Sequence, residues 1–183
     1  MESLENYLNR FYQTHKEYLT GFYPGLSRSR LKQELETLMF GRHDYQENFF
    51  SHLYIPTIHS RVSEFFEKLL QGVPLEYITG RTYFFSSEFH VNSHVLIPRS
   101  ESEVLVEKAI ERLQKMRLKS VCDVGTGSGA LLLSLLQHIE APLEATGIDI
   151  SEKALKVARQ NAFELQWIMN PQHKLTWKQT DRL

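Results

Sequence analysis

The chain has 183 residues, of which 42% are hydrophobic and 23% charged, and its formal net charge is −1. This composition is typical of an ordinary globular protein with a buried core, in one large domain or two small ones. Residues 1–71 carry 8 Lys and Arg against 9 Asp and Glu, and residues 72–183 carry 13 of each. No basic surface for sequence-independent nucleic-acid binding is therefore expected.

The single cysteine, Cys122, excludes an intrachain disulfide framework. No apolar run reaches membrane-spanning length, and the N-terminus has no charged-then-apolar signal pattern. These features together predict a cytoplasmic protein with no membrane partner.

Residues 1–71 predict an all-α bundle, because apolar residues recur at intervals of three and four. Ser27 is expected to cap a second helix, and Asp44 with Glu47 to form a capping box for a third. Gly72 is expected to end the fourth helix. The bundle carries no catalytic signature of its own.

From Gly72 the hydrophobic period changes to two, which predicts a β-hairpin linker over residues 72–98. The short β-type runs are Tyr77-Ile78, Tyr83–Phe85, Phe89–Val91 and Val95–Ile97. Two histidines in this segment, His90 and His94, raise the question of a metal ion. Residues four apart on a strand stand about 13 Å apart, so no metal site is predicted.

Residues 99–183 predict alternating helices and strands. Ser100 and Glu103 have the spacing of a capping box that opens a helix. Strands are expected from residue 120, over 143–148 and over 174–179, with helices at 130–138 and after Ser151. This alternation predicts a doubly wound parallel sheet. Such sheets commonly have about five or more strands, so we expect a fragment or a protein without its C-terminal half, open to self-association through an unpaired sheet edge.

The candidate site is the segment Asp123–Gly129, which reads Asp-Val-Gly-Thr-Gly-Ser-Gly between a buried strand and a helix. Glycine lacks a Cβ atom, so a ligand can lie against the backbone at the helix N-terminus. Asp149 ends the next predicted strand, where an α/β domain places the carboxylate that binds a ribose. The pattern predicts a site for a nucleoside-bearing cofactor.

Two cofactors fit this loop. The pattern Gly125-x-Gly127-x-x-Ala130 satisfies the dinucleotide fingerprint, whereas the alternating glycines and Asp123 favour S-adenosylmethionine. A carboxylate in a buried parallel strand is costly without a partner, and the ammonium group of a bound methionine would be such a partner. The alternative is that Asp123 accepts backbone N–H bonds and caps the turn.

Further motifs resemble the bacterial release-factor glutamine methyltransferases of the HemK/PrmC type. The most specific ones are Gly72-x-Pro74-Leu75-x-Tyr77-Ile78-x-Gly80, Phe89-x-Val91 and Val95-Leu96-Ile97-Pro98-Arg99-x-Glu101-x-Glu103. The resemblance covers the whole chain. It implies a helical release-factor-recognition domain over 1–71, the linker over 72–98, and the first part of a Rossmann-like class I methyltransferase domain, truncated here, over 99–183.

The resemblance also implies an activity, the transfer of methyl from S-adenosylmethionine to the glutamine amide nitrogen in the Gly-Gly-Gln motif of peptide-chain release factors. It assigns the loop to the methionine and ribose of the cofactor, through Gly125, Thr126, Gly127, Ser128 and Gly129. It further assigns Asp149 to the ribose hydroxyls, Asp181 to the adenine amino group and Arg182 to the face of the adenine ring.

The family's catalytic Asn-Pro-Pro-Tyr motif does not occur in the sequence. It is expected after the fourth strand, beyond Leu183. No catalytic residue is therefore assigned, and the 1–183 chain is expected to be inactive. Three other functions stay open: a non-catalytic module that binds cofactor or release factor, an NAD(P)-dependent oxidoreductase, and a DNA adenine methyltransferase. The near-neutral charge disfavours the last.

Overall fold

The computed structural model describes residues 2–40 and 60–181. The predicted third helix with Asp44 and Glu47 lies outside the described residues. The end of the sequence, Arg182 and Leu183, lies outside them as well. The adenine contact of Arg182 and the expected position of the catalytic motif beyond Leu183 therefore stay predictions.

The described residues divide into two compact units, one that ends at Thr79 and one that begins at Gly80. Within the described ranges, no helix combines the length and the apolar character needed to cross a membrane.

The described part of the first unit, residues 2–40 and 60–79, is helical, as the apolar spacing predicts. Its helices are α1 (Leu4–Phe22), α2 (Arg28–Phe40), α3 (Ser60–Leu70) and α4 (Leu75–Thr79). Ser27 caps α2 as predicted, since its hydroxyl oxygen accepts the Arg30 N–H at 3.1 Å. The apolar stripes of these helices share one core, whose fully buried members include Leu4, Leu8, Leu19, Leu31, Leu35, Phe65 and Leu69.

Gly72 ends α3, which confirms the predicted stop. Its N–H donates to the Leu69 carbonyl at 3.1 Å, and the Val73 N–H donates to the Lys68 carbonyl at 3.1 Å. This pair of bonds is the Schellman motif, which needs a left-handed residue, and Gly72 has φ = 72°.

The hairpin is shorter than the predicted segment 72–98. It consists of β1 (Arg81–Phe84) and β2 (Ser87–His90), paired antiparallel. The prediction of a β-type run at Tyr77-Ile78 was wrong, because these residues lie in α4. A two-residue apolar run has no period to distinguish strand from helix. Val95–Ile97 likewise lies in irregular chain.

The turn of this hairpin binds Glu103, which the sequence predicts in a capping box with Ser100. Phe85 and Ser86 have φ = 48° and 69°, the left-handed pair of a two-residue type I′ turn. The Phe85 N–H donates to the Glu103 carboxylate at 2.9 Å. Helix α5 (Glu103–Met116) begins after a 3₁₀ turn at Ser100–Ser102. The prediction that Ser100 and Glu103 cap one another was wrong, since Glu103 binds the hairpin instead.

The second unit continues as alternating strands and helices. The elements are β3 (Ser120–Val124), α6 (Ala130–Gln137), β4 (Glu144–Asp149), α7 (Glu152–Leu165) and β5 (Lys174–Gln179). They agree with the predicted ranges to within about a residue. The strands are parallel in the order β3-β4-β5, the beginning of a Rossmann-like sheet.

Candidate cofactor site

The predicted site lies at the carboxyl ends of the three parallel strands. Asp123 lies near the end of β3, Asp149 is the last residue of β4, and the exposed Asp181 follows β5 by two residues. In an open α/β sheet this edge is where ligands bind. The fold therefore places three carboxylates at the ligand-binding edge.

The Asp149 carboxylate holds the glycine loop to β4. Its Oδ2 accepts the Gly127 N–H at 2.9 Å, and its Oδ1 accepts the Ser151 N–H at 2.9 Å. A carboxylate has about four lone-pair sites. Each oxygen of Asp149 therefore retains capacity to accept a ligand hydroxyl.

The loop donates most of its backbone N–H groups within the protein. Those of Gly125 and Thr126 donate to the Ile148 carbonyl at 2.8 and 2.9 Å, and that of Gly129 donates to the Thr126 carbonyl at 2.8 Å. With Gly127 held by Asp149, these groups are already in use. A pyrophosphate needs such N–H groups as free donors, so the loop is poorly prepared for a dinucleotide.

Asp123 contacts a side chain of the loop. Its Oδ2 accepts the Thr126 hydroxyl at 2.7 Å, rather than the backbone N–H bonds that the alternative interpretation required. Burial raises the pKa of the Asp123 carboxyl, the Thr126 hydrogen bond lowers that pKa, and the negative charge of Asp149 raises it. The site therefore concentrates negative charge beside the loop and favours a ligand that brings a positive one.

The three glycines of the loop differ in what they make room for. A Cβ at Gly125 would meet nothing within 4 Å, and one at Gly127 would meet only a loop carbonyl at 4.0 Å. A Cβ at Gly129 would lie 3.0 Å from the Trp177 indole and 3.2 Å from Leu133. The first two glycines thus leave the surface of the loop open, whereas the third allows the loop to pack on the sheet and helix.

Comparison with known proteins identifies the domain. A family profile described as a methyltransferase domain matches residues 115–171, which contain β3, the glycine loop, β4 and α7. The chain is 37% identical over 150 residues to the release factor glutamine methyltransferase of Moorella thermoacetica, covering 81% of this chain and 47% of that protein. The chain is a homologue of the release factor glutamine methyltransferases.

Two more proteins named release factor glutamine methyltransferase are also similar to this chain. The one from Chlorobaculum tepidum is 43% identical over 98 residues, which cover 51% of this chain and 33% of that protein. The one from Bacillus subtilis is 40% identical over 99 residues, with coverages of 52% and 34%. The chain thus spans about half the length of the first relative and about a third of the other two. The resemblance predicted from the linker and loop motifs is confirmed.

The methyltransferase domain contains site residues that the sequence patterns did not single out. Ile150 follows Asp149 directly, and its side chain is 69% exposed. The Gln179 side chain donates to the Ile150 carbonyl at 3.0 Å and fixes this stretch to the end of β5. Ile150 is therefore an exposed apolar residue directly after the Asp149 carboxylate in the chain. The sequence feature that could have identified Ile150 is its position, as an apolar residue directly after the end of a parallel strand.

The Trp177 indole packs against the glycine loop of the methyltransferase domain. Trp177 on β5 pairs with Gly147 on β4, and a Cβ at Gly147 would lie inside contact distance of the indole. The same indole touches the position of Gly129. A glycine inside a strand signals close approach of another group, and Gly147 carries that signal.

Proposed function

We propose that this chain is the cofactor-binding portion of an enzyme that uses S-adenosylmethionine to methylate the glutamine of the Gly-Gly-Gln motif in peptide-chain release factors, at the side-chain amide nitrogen. The observation that carries the choice of cofactor is the pair of carboxylates at the loop, Asp123 and Asp149, with a raised pKa at Asp123. The names of the relatives support the substrate.

The two candidate cofactors carry opposite charges on the groups that would lie beside the glycine loop. S-adenosylmethionine brings a positive ammonium and a positive sulfonium, whereas a dinucleotide brings a negative pyrophosphate. The half-buried carboxylate of Asp123 gains from a cation and loses from an anion. Because the N–H groups of Gly125, Thr126 and Gly127 are donated within the protein, they add little for a pyrophosphate. An oxidoreductase is therefore disfavoured.

Each site residue receives a proposed role. Asp123 binds the ammonium group, the free acceptor sites of Asp149 bind the ribose hydroxyls, and Ile150 packs on the adenine ring. Asp181 accepts from the adenine amino group, and Arg182 lies beside the ring. The loop that passes along the methionine and ribose consists of Gly125, Thr126, Gly127, Ser128 and Gly129. S-adenosylmethionine supplies the methyl group that is transferred.

The proposed substrate places a specific chemical demand on the enzyme. An amide nitrogen is a poor nucleophile because its lone pair is delocalised into the carbonyl, so it must be aligned with the methyl–sulfur bond and its hydrogens accepted. We assign no residue of 1–183 to that task. We assign residues 1–71 to release-factor recognition, residues 72–98 to a linker and residues 99–183 to the cofactor domain. The reaction is placed in the cytoplasm, without a membrane or direct nucleic-acid partner.

A second candidate is a non-catalytic module that binds cofactor or release factor. It is favoured by a glycine loop and carboxylates that fit a cofactor whether or not a methyl group is transferred. The β3 strand lies at one end of the described sheet, so self-association through that edge belongs to this candidate.

A radiolabelled methyl-transfer assay on purified release factor tests whether residues 1–183 carry out the chemistry, with the Moorella thermoacetica relative as positive control. The 1–183 chain is expected to bind S-adenosylmethionine weakly and to transfer no methyl group. Methylation of the Gly-Gly-Gln glutamine by this chain alone would show that the chemistry lies within these residues.

A further inference from the structure

Asn161 is a buried polar residue that the cofactor assignments do not use. It lies on α7 and is 1% exposed. Its Oδ1 accepts the His90 N–H at 2.7 Å, and its Nδ2 donates to the His90 carbonyl at 3.0 Å and to the Ser128 carbonyl at 2.9 Å. Both amide hydrogens are used, so the carboxamide is fixed in one orientation.

One end of this network is the hairpin. The Asn161 carboxamide pairs with both backbone groups of His90, the last residue of β2, as a neighbouring strand would. The His90 ring lies 2.7 Å from the carboxylate of Glu164, one turn further along α7. The end of the hairpin is therefore fastened to α7 by a buried contact and an exposed one.

The other end of the network is the glycine loop. Ser128 is 3% exposed and lies between Gly127, whose N–H is held by Asp149, and Gly129, whose N–H donates to the Thr126 carbonyl. Holding the Ser128 carbonyl sets the plane of the peptide that joins Ser128 to Gly129. The loop is thus held by Asp149 on the β4 side and by Asn161 on the α7 side.

We propose that Asn161 is a positioning residue that holds the cofactor loop in its binding conformation through the Ser128 carbonyl and couples the loop to the β-hairpin. Asn161 acts through Ser128 and the hairpin backbone, not by contact with the cofactor. A displacement of the end of β2 is therefore transmitted to the loop. The identity of the cofactor rests on the proposed function, whereas the coupling itself does not.

The test is amide hydrogen exchange, residue by residue, on the ligand-free 1–183 chain. In Asn161→Ala the amides of Gly129 and His90 are expected to exchange about two- to tenfold faster, the range for loss of one net hydrogen bond. Amides in the middle of β4 serve as the internal reference. Asn161→Asp keeps an acceptor for the His90 N–H but turns an oxygen toward the carbonyls of Ser128 and His90. It should accelerate exchange at Gly129 more than at His90.

Two controls separate positioning from general destabilisation. Leu155→Ala creates a cavity on the same helix, at a residue that is 0% exposed, and should raise exchange in the loop and in β4 alike. Glu164→Gln removes the charge that faces the His90 ring but keeps a side-chain oxygen within reach of that ring. It also leaves the bonds of Asn161 intact, so the exchange of Gly129 should stay unchanged.

Binding of S-adenosylhomocysteine gives the second readout. Its affinity is expected to fall about two- to tenfold in Asn161→Ala and to stay unchanged in Glu164→Gln. Loop exchange in Asn161→Ala that merely follows the Leu155→Ala pattern, with unchanged affinity, would overturn the proposal. A wild-type chain that binds neither S-adenosylmethionine nor S-adenosylhomocysteine would contradict the proposed cofactor, while the exchange comparison would still decide the role of Asn161.

Discussion

The Asp123 carboxylate accepts the Thr126 hydroxyl at 2.7 Å, at a position where burial and the charge of Asp149 raise its pKa. A carboxylate held in this way opposes folding when it is ionised, because the folded chain binds the proton more tightly than the unfolded chain does. The same carboxylate favours any ligand that brings a cation. Stability and ligand binding therefore make opposite demands on this residue.

Asp123→Asn is expected to raise the melting temperature of the ligand-free chain at pH 7, because the amide removes the half-buried charge and can still accept the Thr126 hydroxyl. Because the pKa is raised on folding, the penalty is fully present above the folded pKa and disappears as pH falls through it toward the ordinary carboxyl value. The advantage of the variant should therefore shrink toward pH 4. Thermal unfolding of both chains across this range checks the sign. Glu107→Gln, at an exposed carboxylate on α5, is the control and should change little.

The same variant tests the proposed ammonium contact. Asp123→Asn should weaken S-adenosylmethionine but leave 5′-methylthioadenosine, which has no amino-acid group, unaffected. Equal weakening of both ligands would show that Asp123 shapes the loop and does not bind the ammonium group.

Asp149→Ala is expected to destabilise the ligand-free chain by about 1–3 kcal/mol, since the N–H groups of Gly127 and Ser151 lose a charged acceptor. Chemical denaturation measures this loss. Ser151→Ala is the matched control: it removes the hydroxyl that caps α7 by accepting the Ala154 N–H, at a cost of about 1 kcal/mol, and leaves the loop bonds in place. Cofactor affinity should fall strongly in Asp149→Ala and little in Ser151→Ala. An equal loss of cofactor affinity in the two variants would refute the proposed contact between Asp149 and the ligand.

Gly127→Val is expected to abolish measurable cofactor binding, because a branched side chain would occupy the open surface of the loop. The chain should also lose about 1–2 kcal/mol of stability, since Gly127 has φ = 56°. Gly21→Ala provides the contrast, because Gly21 lies in α1 and a methyl group added there would meet no atom within 4 Å. That change should stabilise the chain by about 0.5–1 kcal/mol. Calorimetric titration measures cofactor affinity in the two variants, and chemical denaturation measures their stability. Retained affinity in Gly127→Val would contradict the loop assignment.

The strands and helices of the second unit were predictable because their signals are local. Ser151 caps α7 by accepting the Ala154 N–H, three residues away. The alternation of strand-type and helix-type segments along the chain predicts a parallel sheet. Glu103 was misassigned because its partner, the Phe85 N–H, is 18 residues away. Local spacing cannot distinguish a capping box from such a distant bond.

The buried network was unpredictable for the same reason. Asn161 bonds to residues 71 and 33 positions away, and a polar residue inside a helix ordinarily indicates an exposed face. The carboxylates and glycines of the site were predictable because the α/β fold places strand ends together. What the sequence could not show was how Asp149 divides its oxygens between the N–H of Gly127 in the loop and the N–H of Ser151 before α7.

The most direct test of the cofactor assignment is ligand-observed NMR on the 1–183 chain with S-adenosylmethionine and NADH in separate titrations. We expect saturable binding of S-adenosylmethionine, displaced by S-adenosylhomocysteine and lost in Gly127→Val, with no binding of NADH. Saturable NADH binding that is lost in Gly127→Val, with no binding of S-adenosylmethionine, would contradict the assignment.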